Sequence, residues 1–133
     1  MTKEFILETL LPYKEDVSLC STESGICVYL TTDGRKCAVG KHLIDGPAQS
    51  YSGNVYSLDE RYCLNDILTE EAKEQNIPLL VWNSIQCYHD KLSYLYKCKS
   101  DYLQYRINGV NEALDNLEES TNFKFPELRF VEQ

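Results

Sequence analysis

The stretch CVYLTTDGRKCAVGKH, residues 27–42, decides how this chain is read. Cys27, Val28, Tyr29 and Leu30 suit a strand. Asp33-Gly34 is a strong turn signal, because glycine accepts a positive φ without steric cost. Residues 35–39 then return as a second strand. With Asp33 and Gly34 as the two turn residues, Leu30 faces Cys37 and Val28 faces Val39. One face carries Val28, Leu30, Cys37 and Val39; the other carries Cys27, Tyr29, Thr31, Lys36 and Ala38. Gly40 breaks the strand. The expectation is a β-hairpin over about residues 26–39.

Outside this stretch the apolar spacing is helical. Thr2 caps a first helix with Ile6, Leu10 and Tyr13 on one face, and Pro12 ends or kinks it. Residues 46–57, GPAQSYSGNVYS, read as a long loop. Ser57-Leu58-Asp59-Glu60 is a capping box for a short helix near 58–68. Thr69-Glu70-Glu71 starts another, ending near Asn76. Pro78 suits the first turn of a longer helix with the stripe Leu79, Trp82, Ile85, His89 and Leu92. Ser100 caps a last helix whose seam is Leu103, Ile107, Val110, Leu114 and Leu117. That seam reads as core and leaves room for a homo-oligomer contact. The predicted fold is α+β, a hairpin packed against about four helices, in a single domain over residues 1–133.

The chain has 133 residues, 43% of them hydrophobic, enough for one core and too few for two ordinary ones. Its formal net charge of -8 argues against non-specific binding to nucleic acid or anionic membranes, which needs a basic face. Direct sequence-specific nucleic-acid contact is not expected either. Such a chain suits a basic protein partner, or the charge only keeps it soluble. No apolar run is long enough for a bilayer, and residues 1–16 lack a signal-peptide pattern. A cytoplasmic protein is expected, with its six cysteines reduced.

Four groups of residues invite chemistry. Arg35, Lys36, Lys41 and His42 fall within eight residues, near Gly34, Gly40, Gly46 and Gly53. Backbone N–H groups at such glycines can approach a phosphate, and Tyr29, Tyr51 and Tyr56 can stack on a base. A small nucleotide is the implied ligand. The plainer account is that hairpin ends carry cations to keep strand edges soluble. Cys27, Cys37, His42, Cys87 and His89 include zinc-ligand types, but there is no C-x-x-C and the register splits Cys27 from Cys37; neither metal nor cofactor is assigned. Cys37 with His89 and Asp90 suggests a thiol–imidazole enzyme. Against it, His89 lies on an apolar stripe and reads as a core histidine bonded to the hairpin backbone. Finally, Asp101, Glu112, Asp115, Glu118 and Glu119 face Arg106 alone on the last helix, with five tyrosines between Tyr88 and Tyr105. Tyrosine beside carboxylate is a usable surface for a basic partner.

Cys27-x-Tyr29, the run Asp33-Gly34-Arg35-Lys36-Cys37-Ala38-Val39-Gly40, Leu43-Ile44, and later Leu80, Gln86 and His89-Asp90 resemble a family of small proteins of tailed phages, prophages and some bacteria. Its pattern runs C-x-Y, D-G-x-x-C-A-V-G, a hydrophobic dipeptide, then L-Q-x-x-H-D on a later helix. The likeness covers about residues 5–92. The chain departs from it at Lys41-His42, where many members place a cysteine, and at Ile85-Gln86. The resemblance implies a phage-type protein of the host cytoplasm, with Cys27, Asp33, Gly34, Cys37, Gly40, His89 and Asp90 as a structural motif. Joined to the residue reading, it gives a non-enzymatic accessory protein that antagonises a host process, such as a defence, by binding. The first expectation is sequestration of a nucleotide-type signal. The second is an acidic inhibitor of a basic, DNA-binding host protein. The third is the Cys/His enzyme.

Overall fold

The computed structural model describes residues 1–23 and 26–131; of Glu23, Ile26 and Cys27 it describes the backbone alone. The role expected of the Cys27 side chain therefore lies outside the described residues. The fold is helical, not α+β: helix accounts for 63% and strand for 4%. Among the described residues six α-helices follow in order: α1 Lys3–Glu15, α2 Val55–Tyr62, α3 Leu64–Ile67, α4 Glu70–Glu74, α5 Leu79–Ser93 and α6 Ser100–Thr121. None is long and apolar enough to cross a membrane.

α5 is the centre of the molecule. It packs most extensively on α6, and also against α1 and α2. Its expected stripe is the core: Trp82, Ile85, His89 and Leu92 are all at most 1% exposed. From α6, Val110, Leu114 and Leu117 are fully buried, so most of the seam serves the core, while Leu103 stays 40% exposed. Local chemistry sets the helix ends. The Thr2 hydroxyl accepts from the Phe5 N–H and the Thr69 hydroxyl from the Ala72 N–H, as capping requires. The α2 cap is Asn54 rather than Ser57, and Cys63 at φ 58° separates α2 from α3. Pro12 lies inside α1, which continues to Glu15.

The expected hairpin is not formed. Ile26–Cys27 (β2) pairs backwards with Thr22–Glu23 (β1), not forwards with the return arm. The Asp33-Gly34 turn does exist: the Gly34 N–H donates to the Thr31 carbonyl, with Gly34 at φ +88°. Beyond it the arms meet in one isolated bridge, Leu30 with Lys36. Val39 is already helical in φ and ψ, and Gly40–His42 closes a 3-10 turn. The reason lies outside the stretch. The Val39 N–H, which a strand would have paired with Val28, donates instead to Gln86 Oε1 of α5 at 3.1 Å. The Gly40 N–H donates to Cys37 Sγ at 3.1 Å. Tertiary partners satisfy the backbone groups that a ladder would have used.

Candidate functional site

The motif loop, residues 27–43, wraps α5 and is fastened to it by side chains. His89 is fully buried. Its Nε2 accepts from the Ser21 N–H at 3.3 Å, so Nδ1 carries the hydrogen and donates to Asp90 Oδ1 at 2.9 Å. Gln86 Nε2 donates to the same carboxylate oxygen at 2.8 Å. Tyr13 stands edge-on to the His89 ring at 4.7 Å and gives its hydroxyl to the Lys36 carbonyl at 2.5 Å. Both nitrogens of His89 are thus engaged within the protein, Nε2 with the Ser21 N–H and Nδ1 with Asp90, and Asp90 in turn holds Gln86. Cys37 is fully buried, and burial is the main cause that pushes its thiol up to about 12. A thiol held that high is a poor nucleophile. Maleimide should accordingly label the exposed Cys63 and Cys87 in the folded protein and reach Cys37 only after unfolding, as peptide mapping by mass would show.

Three of the four cations expected to bind an anion, Arg35, Lys41 and His42, are turned to the protein itself, while Lys36 meets Tyr13 only through its backbone carbonyl. Arg35 donates from Nη1 to the Cys20 carbonyl at 2.7 Å and from Nη2 to the Thr22 carbonyl at 3.0 Å, and its Nε pairs with Asp33. Lys41 Nζ donates to the Thr9 carbonyl at 2.8 Å and lies 4.4 Å from the centre of the Tyr13 ring. His42 is half-buried between Phe5 and Trp82, with Nε2 2.9 Å from the Thr9 hydroxyl. Burial, then the nearby Lys41 charge, push its imidazole down to about 4. Tyr29 is 2% exposed and gives its hydroxyl to the Gly53 carbonyl, Tyr51 is half-buried against it, and Tyr56 is exposed on α2. The cavity that Tyr29 and Asp90 line has a volume of about 70 Å³. Ligand pockets run to about 300–1,000 Å³, so this one is too small for a nucleotide. Among the described residues no three His, Cys, Asp or Glu side chains gather as a metal set.

A larger concavity lies on the far side of α6. A groove of about 800 Å³ runs between α6 and the C-terminal segment. Asn108, Asn111, Glu112, Asp115 and Glu118 form one wall; Lys124, Pro126, Arg129, Phe130 and Val131 form the other, with Lys124 Nζ 4.0 Å from Glu118 Oε1. The second wall is clamped on. The Asn111 side chain bonds both the N–H and the carbonyl of Phe130, at 2.9 and 3.0 Å. Glu118, 8% exposed, accepts from the Phe125 N–H at 2.7 Å and from Arg129 at 2.8 Å. Arg129 also pairs with Asp115 at 2.7 Å, which raises the guanidinium pKa further. Glu112 and Glu119 enter no ion pair among the described residues.

No family model, curated protein or solved structure matches this chain. The groove was only half legible beforehand. Its carboxylates were visible as a helix face. Its opposite wall comes from the C-terminal segment, whose docking on α6 no local pattern announces.

Proposed function

We propose that the chain is a phage-type accessory protein that antagonises a host process by seating a basic segment of a host protein in the groove between α6 and the C-terminal segment. The groove itself carries this reading. It is large enough for several side chains, it joins carboxylates to the apolar surface of Pro126, Phe130 and Val131, and although Asp115 and Glu118 pair with Arg129, its Glu112 enters no ion pair among the described residues. An arginine or lysine entering it meets carboxylates, while its aliphatic stem lies on Phe130. This acidic-inhibitor reading ranks ahead of nucleotide sequestration, because Arg35, Lys41 and His42 already bond or pack against the protein.

The test is fluorescence anisotropy with a labelled peptide alternating arginine, lysine and leucine. Binding is expected to weaken with salt, as screened charge pairs do. Glu112→Lys should weaken it several-fold at low salt. Equal binding by wild type and this variant would remove the groove from consideration.

A further inference from the structure

The turn that joins α5 to α6 has the opposite character from the groove. Residues 91–106 read KLSYLYKCKSDYLQYR, with Lys91, Lys97, Lys99 and Arg106 against Asp101 alone. In a chain with 21 acidic and 13 basic residues this stretch is net positive. None of the four cations enters an ion pair among the described residues. Arg106 Nη1 bonds the Tyr94 carbonyl at 2.8 Å, a contact that fixes the side chain and leaves its charge unneutralised.

The tyrosines of this region stand with those cations, not beside the carboxylates as the sequence suggested. Tyr94, Tyr96, Tyr102 and Tyr105 are 44%, 49%, 57% and 79% exposed. Lys91 and Arg106 lie 6.0 and 5.6 Å from the centre of the Tyr94 ring, and Lys97 lies 5.2 Å from that of Tyr96. Tyr94 and Tyr96 thus each have a cation at hand, while Tyr102 and Tyr105 are the more exposed rings. Tyr102 and Tyr105 sit one helical turn apart on α6.

We propose that the α5–α6 turn is a contact site for single-stranded nucleic acid, bound without sequence preference. Every base has a face that stacks on an aromatic ring, and every nucleotide brings a phosphate for a nearby lysine or arginine. A polyglutamate-type peptide would use the four cations but has no aromatic ring to stack on the tyrosines, so the exposed tyrosines favour the nucleic acid. The net charge of -8 does not forbid it. Along α6, at about 1.5 Å per residue, Glu112 lies roughly 9 Å and Asp115 roughly 14 Å beyond Arg106, and the Debye length at physiological salt is about 8 Å. The acidic end is therefore partly screened from the basic one.

The experiment is anisotropy of a fluorescein-labelled oligothymidylate of twelve nucleotides, titrated with the full chain at 50 and 200 mM salt. Neutralising up to four phosphates predicts a slope of log K against log salt of about −3, or roughly a fifty-fold loss between the two conditions. Lys97→Glu with Lys99→Glu should flatten the slope. Tyr102→Ala with Tyr105→Ala should weaken binding by about tenfold or more, since base stacking is worth about 1–3 kcal/mol per ring. Tyr102→Phe with Tyr105→Phe keeps the rings and should restore most of it. All four positions are exposed, and an unchanged melting temperature will show that each variant folds. No binding by the wild type would overturn the proposal. So would binding indifferent to these substitutions, or a polyglutamate peptide that binds as well as the oligonucleotide.

Discussion

Replacing Gly40 by alanine lowers stability by about 3 kcal/mol, the upper end of what overpacking costs. A Cβ at this position would lie 2.2 Å from the Tyr29 carbonyl oxygen and 3.2 Å from Cys37 Sγ. The obstacle is backbone, not the tip of a flexible side chain. Tyr29 has little freedom to retreat, because it is 2% exposed and its hydroxyl is bonded to the Gly53 carbonyl at 3.0 Å. Gly34 is the control. It has a φ of +88° but open space around it, so Gly34→Ala costs about 1 kcal/mol of backbone strain and no clash. Urea midpoints of the two variants measure the difference. A Gly40→Ala protein within about 1 kcal/mol of wild type would mean that the loop gives way easily, against the packing described above.

Between pH 6.5 and pH 4 the fold loses about 2 kcal/mol through His42. Its folded-state value is depressed to about 4, against about 6.5 for a free imidazole. In that window the unfolded chain binds the extra proton and the folded chain does not. Stability from this group is therefore complete above pH 6.5 and is lost as the pH falls towards 4. The full difference would exceed 3 kcal/mol at about 1.4 per pH unit, and the ring's partial contact with solvent reduces it to about 2. Protonation would place a charge between Phe5 and Trp82, beside Lys41. His42→Asn should be less stable at pH 7 yet lose less on acidification than wild type. Carboxylates titrate in both proteins and cancel in the comparison. Parallel pH curves would show that His42 protonates freely in the folded state.

The helical part of this fold could be read from local pattern. Leu79, Trp82, Ile85, His89 and Leu92 repeat at helical spacing, and that face is buried nearly throughout. Thr2 and Thr69 announce their helices by side-chain capping. The hairpin reading failed because its deciding partners lie far away in sequence. Strand-forming residues and an Asp-Gly turn describe what residues 27–39 prefer alone. Gln86, 47 residues beyond Val39, takes the N–H that a ladder would need. The binding residues show the same limit. Arg35, Lys41 and His42 were legible as basic types, but sequence does not reveal that their donors are already engaged with Cys20, Thr22 and Thr9. The tyrosines at 94–105 were legible too. Which charges stand beside their rings is set by the path of the turn, and the nearby lysines lie before α6 begins.

The fastening of residues 35–42 bears on how variants of this chain behave in a living cell. Arg35, Cys37, Gly40, Lys41 and His42 each touch backbone or core, so changing them lowers the folded population. Chaperones and proteases convert losses of about 1–2 kcal/mol into several-fold changes in abundance. A mutational scan scored by phenotype alone would therefore mark DGRKCAVGKH as the business end of the molecule. Dividing each score by the amount of protein present would lift that mark from the loop and leave it on surfaces whose residues hold nothing together.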